Sequence, residues 1–364
     1  VRLWDRLARK AALRERAGLA RAARPRAEAI DLAGNDYLGL SGPPRVVAAA
    51  AAALEEYGLG AGGSRLVRGT TEAHEAFEAD IARHLGAETA TLYSSGYLAN
   101  LGALASLPGP VLLDAHVHAS LHDAARLAGR PSASFAHNDL DELERALAAL
   151  RPAVVAVESV YSVLGDAAPL REIHALTSAH EALLVVDEAH AVGTVGPNGA
   201  GGAAAAGLGG DPGVVVTATL SKALGAAGGV IAGPAELRRH LTDTSRPFVY
   251  DTAPPPAVVA GAAEALRIAR GADASRAELA RRARAAAAEL DAPAPAAGVL
   301  SPPAGDARAA AAWAARCADR GVAVGCFRPP STPDHRSRLR ITINTGVGAA
   351  DFDKAVQAVK EERA

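Results

Sequence analysis

Methionine is missing from all 364 residues, and cysteine occurs only twice, at Cys317 and Cys326. The absence of methionine has no physical account. Two cysteines outside a Cys-x-x-Cys pair are no disulfide framework, so a reduced, cytoplasmic setting is expected. Charge of one sign is also lacking: 38 Lys+Arg stand against 40 Asp+Glu, a net charge of -2. That balance supplies no chain-wide positive field for nucleic acid or anionic lipid, and neither partner is expected. No long uncharged apolar run would span a bilayer. The opening "VRLWDRLARKAALRERAGLARAARPR" interleaves charge with Ala and Leu, where a signal peptide would have a continuous apolar stretch.

What the sequence does have is alanine, glycine and short β-branched runs. The hydrophobic fraction is 49%, much of it alanine, which packs helices closely. The length suits one large and one smaller domain. Helical spacing marks residues 3–23, 44–57 and 71–85. The glycine-dense "GLGAGGSRLVRGT" lies between the last two, and a short strand is expected near Ile30–Leu32. From "ATLYSSG" onward, strands and helices alternate through "VLLDAH", "PAVVAVESVYS", "ALLVVDEAH", "GVVVTATLSK" and "GGVIAG". Continuous apolar strands separated by helices predict an α/β layer with a largely parallel sheet. After Pro254-Pro255-Pro256 the pattern changes to one long helical region over roughly 257–290, then a small α+β unit with strands in "VAVGCF" and "RLRITI". The expected division is a 1–40 N-terminal segment, a 41–255 large domain and a 256–364 small domain.

Open α/β sheets bind ligands at the carboxyl ends of their strands. Ser95-Gly96, Asp114, Glu158, Asp187 and Lys222 all fall at such ends. A carboxylate or a lysine there is, taken singly, more often a cap, an ion-pair partner or a solvated group. Together they meet the needs of pyridoxal phosphate. That cofactor requires a lysine for a Schiff base, a carboxylate against its pyridinium nitrogen, and a phosphate cradle. The cradle is expected at "SSGYLAN", where a helix N-terminus offers free N–H groups and Gly96 allows close approach; the Thr219 hydroxyl would add to it. His118 and His122, spaced i, i+4, admit a metal reading, but no glutamate completes a zincin pattern, and no metal is expected. A nicotinamide-binding reading of "GAGGSR" fails because no convincing strand leads directly into that loop.

The set "NDYLGLS", "GAGGSRLVRGT", "SSGYLAN", "DAHVHASL", "AHND", "ESVYSVLGDAAPL", "VVDEAHAVGTVG", "TLSKALGAAGG" and "RPPSTPDHRSRLRIT" resembles the α-oxoamine synthases. These are a fold-type I group of pyridoxal-phosphate enzymes, and the motifs occur here in the family's order over most of the chain. The resemblance implies a Schiff base on Lys222, a pyridinium partner in Asp187, and cofactor contacts from Gly96, Tyr97, Ser162, His190 and Thr219. It implies that His118 stacks on the ring and orients substrate, and that Thr252 reaches the phosphate of a partner subunit in a homodimer. Arg340 would bind the amino-acid carboxylate. Arg21, Asn35 and Ser331 match substrate-contacting positions, with Arg24 and Arg26 as neighbours of Arg21 that compete for its role. Arg-Pro-Pro before Arg-Leu-Arg resembles the biotin-pathway branch. It implies L-alanine and a pimeloyl thioester, on coenzyme A or a carrier protein, as substrates. Glycine-using members acting on acetyl- or succinyl-CoA are the alternative, and a non-catalytic binding module on the same fold is a remoter one.

Overall fold

The computed structural model of the protein describes residues 2–363 apart from Arg24 and Pro152. Among the described residues eleven strands run in chain order: β1 (Ile30–Leu32), β2 (Thr89–Tyr93), β3 (Val111–Asp114), β4 (Ser132–Phe135), β5 (Val154–Glu158), β6 (Leu183–Asp187), β7 (Val214–Thr219), β8 (Gly229–Gly233), β9 (Val299–Leu300), β10 (Val322–Phe327) and β11 (Arg338–Thr342). Seven of them form one sheet in the order β2-β8-β7-β6-β5-β3-β4. Every pairing in it is parallel except the two made by β8. Strands β5 and β7 are buried at every residue. Helices cover both faces, which is why these strands read as unbroken apolar runs rather than alternating ones.

The second sheet has the order β1-β10-β11-β9. The expected strand at Ile30–Leu32 is present, and it pairs in parallel with Val322–Val324. The start of the chain thus supplies an edge strand to a sheet otherwise built from its end. Helices Ala307–Asp319 and Ala349–Glu361 are stapled together where the Trp313 indole donates to the Val359 carbonyl at 2.9 Å.

Two expectations need correction. The first helix covers Leu3–Arg16, not 3–23: Gly18 turns left-handed at φ 68°, and the chain then runs on irregularly. The long helical region is two helices, Pro256–Arg270 and Asp273–Glu289, broken at Gly271-Ala272. "SASF", which the sequence pattern left unassigned, forms the sheet edge β4.

Candidate active site

The carboxyl ends of β5, β6 and β7 lie side by side, with Glu158 in register with Asp187 and Asp187 with Thr217. Above them is a cavity of about 250 Å³ walled by Ser95, Gly96, His118, Asp187, His190 and Lys222. His118, His190 and Lys222 also line a larger cavity of about 740 Å³, whose far side carries Arg21, Ser331 and Arg340.

Asp187 is held from both sides. Its Oδ1 accepts from the Ala189 amide at 2.9 Å, and its Oδ2 accepts from Asn100 Nδ2 at 2.7 Å. Asn100 is oriented in turn by the Thr217 hydroxyl, which donates to its Oδ1 at 2.6 Å. Nδ2 of the same asparagine also donates to Ser120 Oγ at 2.9 Å. His118 caps the helix Ala119–Ala128, its Nδ1 accepting from the Ser120 amide at 3.2 Å. An acceptor at Nδ1 fixes the proton of a neutral imidazole on Nε2, and burial lowers the His118 pKa, favouring that neutral form. As the cap, His118 precedes the helix that carries His122, so the i, i+4 pair expected of a metal site does not form on one helix. Among the described residues no group of His, Cys, Asp and Glu is arranged to hold a metal ion.

Lys222 Nζ lies 2.8 Å from His190 Nε2, and His190 Nδ1 lies 2.6 Å from the Tyr37 hydroxyl. Burial lowers the Lys222 pKa to about 8, although the Asp187 charge opposes the shift. Burial, then the Lys222 charge, pushes His190 well below the ordinary histidine range. Burial, reinforced by Asp187, lifts Glu158 to about 8. A lysine and a carboxylate thus share one cavity, and neither is tied into an ion pair among the described residues.

The cradle is backbone. Ser95 caps the helix Gly96–Ser106 by accepting from the Leu98 amide at 3.1 Å. The amides of Gly96 and Tyr97 take no internal partner among the described residues. A Cβ at Gly96 would sit 2.8 Å from Thr219 Cβ, and one at Gly229 would sit 2.4 Å from the Ser95 carbonyl oxygen. Only glycine permits this approach of strand ends and helix start. Free N–H groups at a helix N-terminus, an unpaired carboxylate and a buried lysine of lowered pKa are the three features that pyridoxal phosphate requires, and the residues fit it.

The remaining predicted positions divide between the two cavities and the surface. Thr219 lines the smaller cavity, but its hydroxyl is engaged with Ser221 Oγ at 2.7 Å and the Gly228 carbonyl at 3.1 Å. Ser162 lines the larger cavity, its amide donating to Glu158 at 3.0 Å. Arg340 is buried and lines the larger cavity only. Its Nε donates to the Ser162 carbonyl and its Nη1 to Asn35 Oδ1, both at 2.9 Å. That leaves Nη2 without a protein partner among the described residues. Arg21 Nη2 donates to Ser331 Oγ at 2.6 Å. Arg26 is exposed and lines neither cavity, and Arg24 lies outside the described residues. Tyr97 lines the smaller cavity, yet its hydroxyl turns away to donate to Asp123. Thr252 is exposed, bridges to Ser64 and lines neither cavity of its own chain.

Sequence reasoning passed over Asn100 and Tyr37. Each sits inside a motif it quoted, "SSGYLAN" and "NDYLGLS", and Asn100 lies one helical turn after Gly96. That spacing was the available signal.

Fold and site together define a fold-type I, pyridoxal-phosphate-dependent transferase. The chain belongs to the class I and II aminotransferase family, whose model matches residues 27–359, and within it to the α-oxoamine synthases. It is 50% identical over 343 residues to 8-amino-7-oxononanoate synthase of Mycolicibacterium smegmatis, covering 93% of this chain and 90% of that one. The namesake protein of Mycolicibacterium vanbaalenii is 46% identical, with 96% and 94% covered. Among solved structures, one described as SPT with its PLP internal aldimine superposes with a TM-score of 0.92 at 30% identity, covering 100% of this chain and 98% of that one. The serine palmitoyltransferase of Sphingomonas wittichii gives 0.87 at 32% identity, covering 92% and 87%.

Proposed function

We propose that the protein is a pyridoxal-phosphate-dependent acyltransferase. It condenses L-alanine with a pimeloyl thioester to give 8-amino-7-oxononanoate, carbon dioxide and the free thiol carrier, in biotin biosynthesis. The observation that carries this reading is the pairing of two cavities around Lys222. The smaller has an unpaired carboxylate, Asp187, and free helix-terminal amides; the larger has Arg340 with one free guanidinium nitrogen. Relatives 46–50% identical over nearly the whole chain carry the corresponding name.

When bound, pyridoxal phosphate supplies an electron sink for a carbanion at the amino-acid Cα. Asp187 would hold its ring nitrogen protonated, and the Gly96 and Tyr97 amides would hold its phosphate. Arg340 Nη2 binds the carboxylate of L-alanine, a charge-assisted contact in a site already turned away from bulk water. The Lys222 amine, its pKa lowered to about 8 by burial, takes the Cα proton and returns one at the end. His190 stays neutral beside it and receives a hydrogen bond at Nε2 whenever Lys222 is charged. The Nε2–H of His118 donates to the thioester carbonyl oxygen, where negative charge develops as the new C–C bond forms.

The same reading implies a homodimer in which Thr252 serves the partner subunit's phosphate site, and a cytoplasmic enzyme. It also keeps the division at 41–255 and 256–364, with the 1–40 segment tied through β1 to the smaller part. No helix among the described residues is long and apolar enough to cross a membrane.

The test is a titration of purified protein with pyridoxal phosphate, then L-alanine, then pimeloyl-CoA, followed by absorbance, thiol release and mass spectrometry. A visible band that borohydride fixes onto Lys222, a spectral change with L-alanine, and 8-amino-7-oxononanoate formed only with the pimeloyl donor are expected. Turnover of glycine with acetyl-CoA in its place would keep the family and overturn the substrates.

A further inference from the structure

Charge is segregated along this chain. Residues 1–26 hold nine basic and two acidic side chains, although the whole protein carries a net charge of -2. Most of that basic segment is the helix Leu3–Arg16, which has no buried residue. Trp4 is 73% exposed, and Leu3, Leu7 and Leu13 are also exposed, interleaved with Arg6, Arg9, Lys10 and Arg14.

The helix is nevertheless anchored, and the segment that follows it reaches the larger cavity. Arg308 donates to the Arg16 carbonyl. Arg328 donates to the carbonyls of Gly18 and, at 3.1 Å, Ala20. Arg21, the next residue, hydrogen-bonds Ser331 and lines that cavity. A basic, partly apolar rod about 21 Å long thus leads, through Arg21, to the cavity proposed above to take the acyl donor.

We propose that the helix Leu3–Arg16 is the docking surface for an acidic acyl carrier protein, which delivers the acyl thioester on its phosphopantetheine arm into the larger cavity. This rests on the function proposed above. A coenzyme A nucleotide is too small to cover a surface of this length, and it would leave the apolar side chains exposed. A cavity of about 740 Å³ admits an acyl chain and a thin arm but no protein. The partner must therefore sit outside and reach in. Interleaved arginines and leucines match an acidic helical surface with apolar contacts, and complementary charge raises the association rate.

The test compares kcat/KM for pimeloyl-carrier protein and pimeloyl-CoA in the wild type and in the double variant Arg9→Glu, Arg14→Glu, both as full-length holoenzyme. The variant is expected to lose about tenfold or more with the carrier-protein donor, a change of about 1.4 kcal/mol, and to lose the salt dependence of that rate. Its rate with pimeloyl-CoA stays at the wild-type value. Equal loss with both donors, or loss with neither, overturns the proposal. So does a shift in oligomeric mass on gel filtration with light scattering, which assigns the helix to a second copy of the chain. Co-sedimentation of the wild type, but not the variant, with vesicles of 30% phosphatidylserine and an unchanged carrier-protein rate assigns it to a membrane and also overturns it. A wild type that turns over neither pimeloyl donor refutes the function itself, an outcome distinct from failure of the surface alone.

Discussion

Lys222 and Arg340 are joined by an unbroken hydrogen-bonded chain. It runs from Lys222 Nζ to His190, from His190 to the Tyr37 hydroxyl, from Tyr37 to Asn35 Oδ1 at 3.4 Å, and from Asn35 to Arg340 Nη1. The proposed proton-transfer group, Lys222, and the proposed carboxylate-binding group, Arg340, are thus positioned by one set of contacts, linked by His190 and by the neighbouring pair Asn35 and Tyr37.

Replacing Lys222 by alanine removes the one lysine amine that lines the smaller cavity among the described residues. Turnover is expected to fall by about 10³-fold or more, while pyridoxal phosphate still binds non-covalently at Asp187 and the helix-terminal amides. Borohydride treatment followed by mass spectrometry distinguishes the two: the wild type retains the cofactor mass and the variant does not. Normal turnover by the variant would refute the role of Lys222.

Arg340→Lys is expected to behave as a severe change. Two of the arginine's nitrogens are already committed to Ser162 and Asn35, and a lysine cannot hold those contacts and still reach a carboxylate. KM for L-alanine should rise roughly 10- to 100-fold, as for loss of one charge-assisted hydrogen bond. Steady-state kinetics at saturating acyl donor would measure it, and an unchanged KM would remove Arg340 from the site.

His137 supplies a pH dependence of stability. Its Nδ1 lies 2.9 Å from Asp114 and its Nε2 2.8 Å from Asp166. Burial works against the charged form, but the two carboxylates outweigh it and raise the pKa to about 9. A histidine whose folded pKa is raised contributes stability that is fully present below its unfolded value, about 6.5. That contribution is lost as pH climbs through about 9. Urea unfolding of the wild type should therefore weaken between pH 6.5 and 9.5 by on the order of 2–3 kcal/mol. In His137→Gln that slope should flatten, and an identical slope in both proteins would contradict the assignment.

Glu78 is the structural counterpart on the other side of the sheet. Its side chain is almost fully buried, with Arg65 at 2.8 Å, Arg238 at 2.9 Å and the Leu92 amide at 2.8 Å. Glu78→Ala strands the buried Arg65 guanidinium and should cost about 3–5 kcal/mol, read as a lowered denaturant midpoint. A midpoint shift under about 1 kcal/mol would mean that water reaches Arg65.

Legibility in the sequence followed the physics of each element. Strands β5, β6 and β7 were readable because burial on both faces writes an uninterrupted apolar run, and the polar residue ending each run marks the ligand edge. Lys222 and Asp187 stood out at those ends, whereas His190 entered only through the family resemblance. Asn100 carried only the signal of lying one helical turn after Gly96 and Tyr37 carried none, because their contacts depend on which side chains lie opposite across the fold. The end of the first helix at Arg16 was misplaced because Ala and Leu continue their helical spacing beyond the turn at Gly18. The break at Gly271-Ala272 was masked by the alanine-rich composition on either side of it.

The pairing of β1 with β10 sets an order of events on the ribosome. Ile30–Leu32 emerges early but finds its hydrogen-bonding partner only after Val322–Val324 has been made. Asn35 waits likewise for Arg340. Every residue lining the smaller cavity precedes β8, whereas the larger cavity also needs Phe327, Ser331 and Arg340 from the C-terminal part of the chain. The larger cavity is therefore the last of the two whose walls are all synthesised.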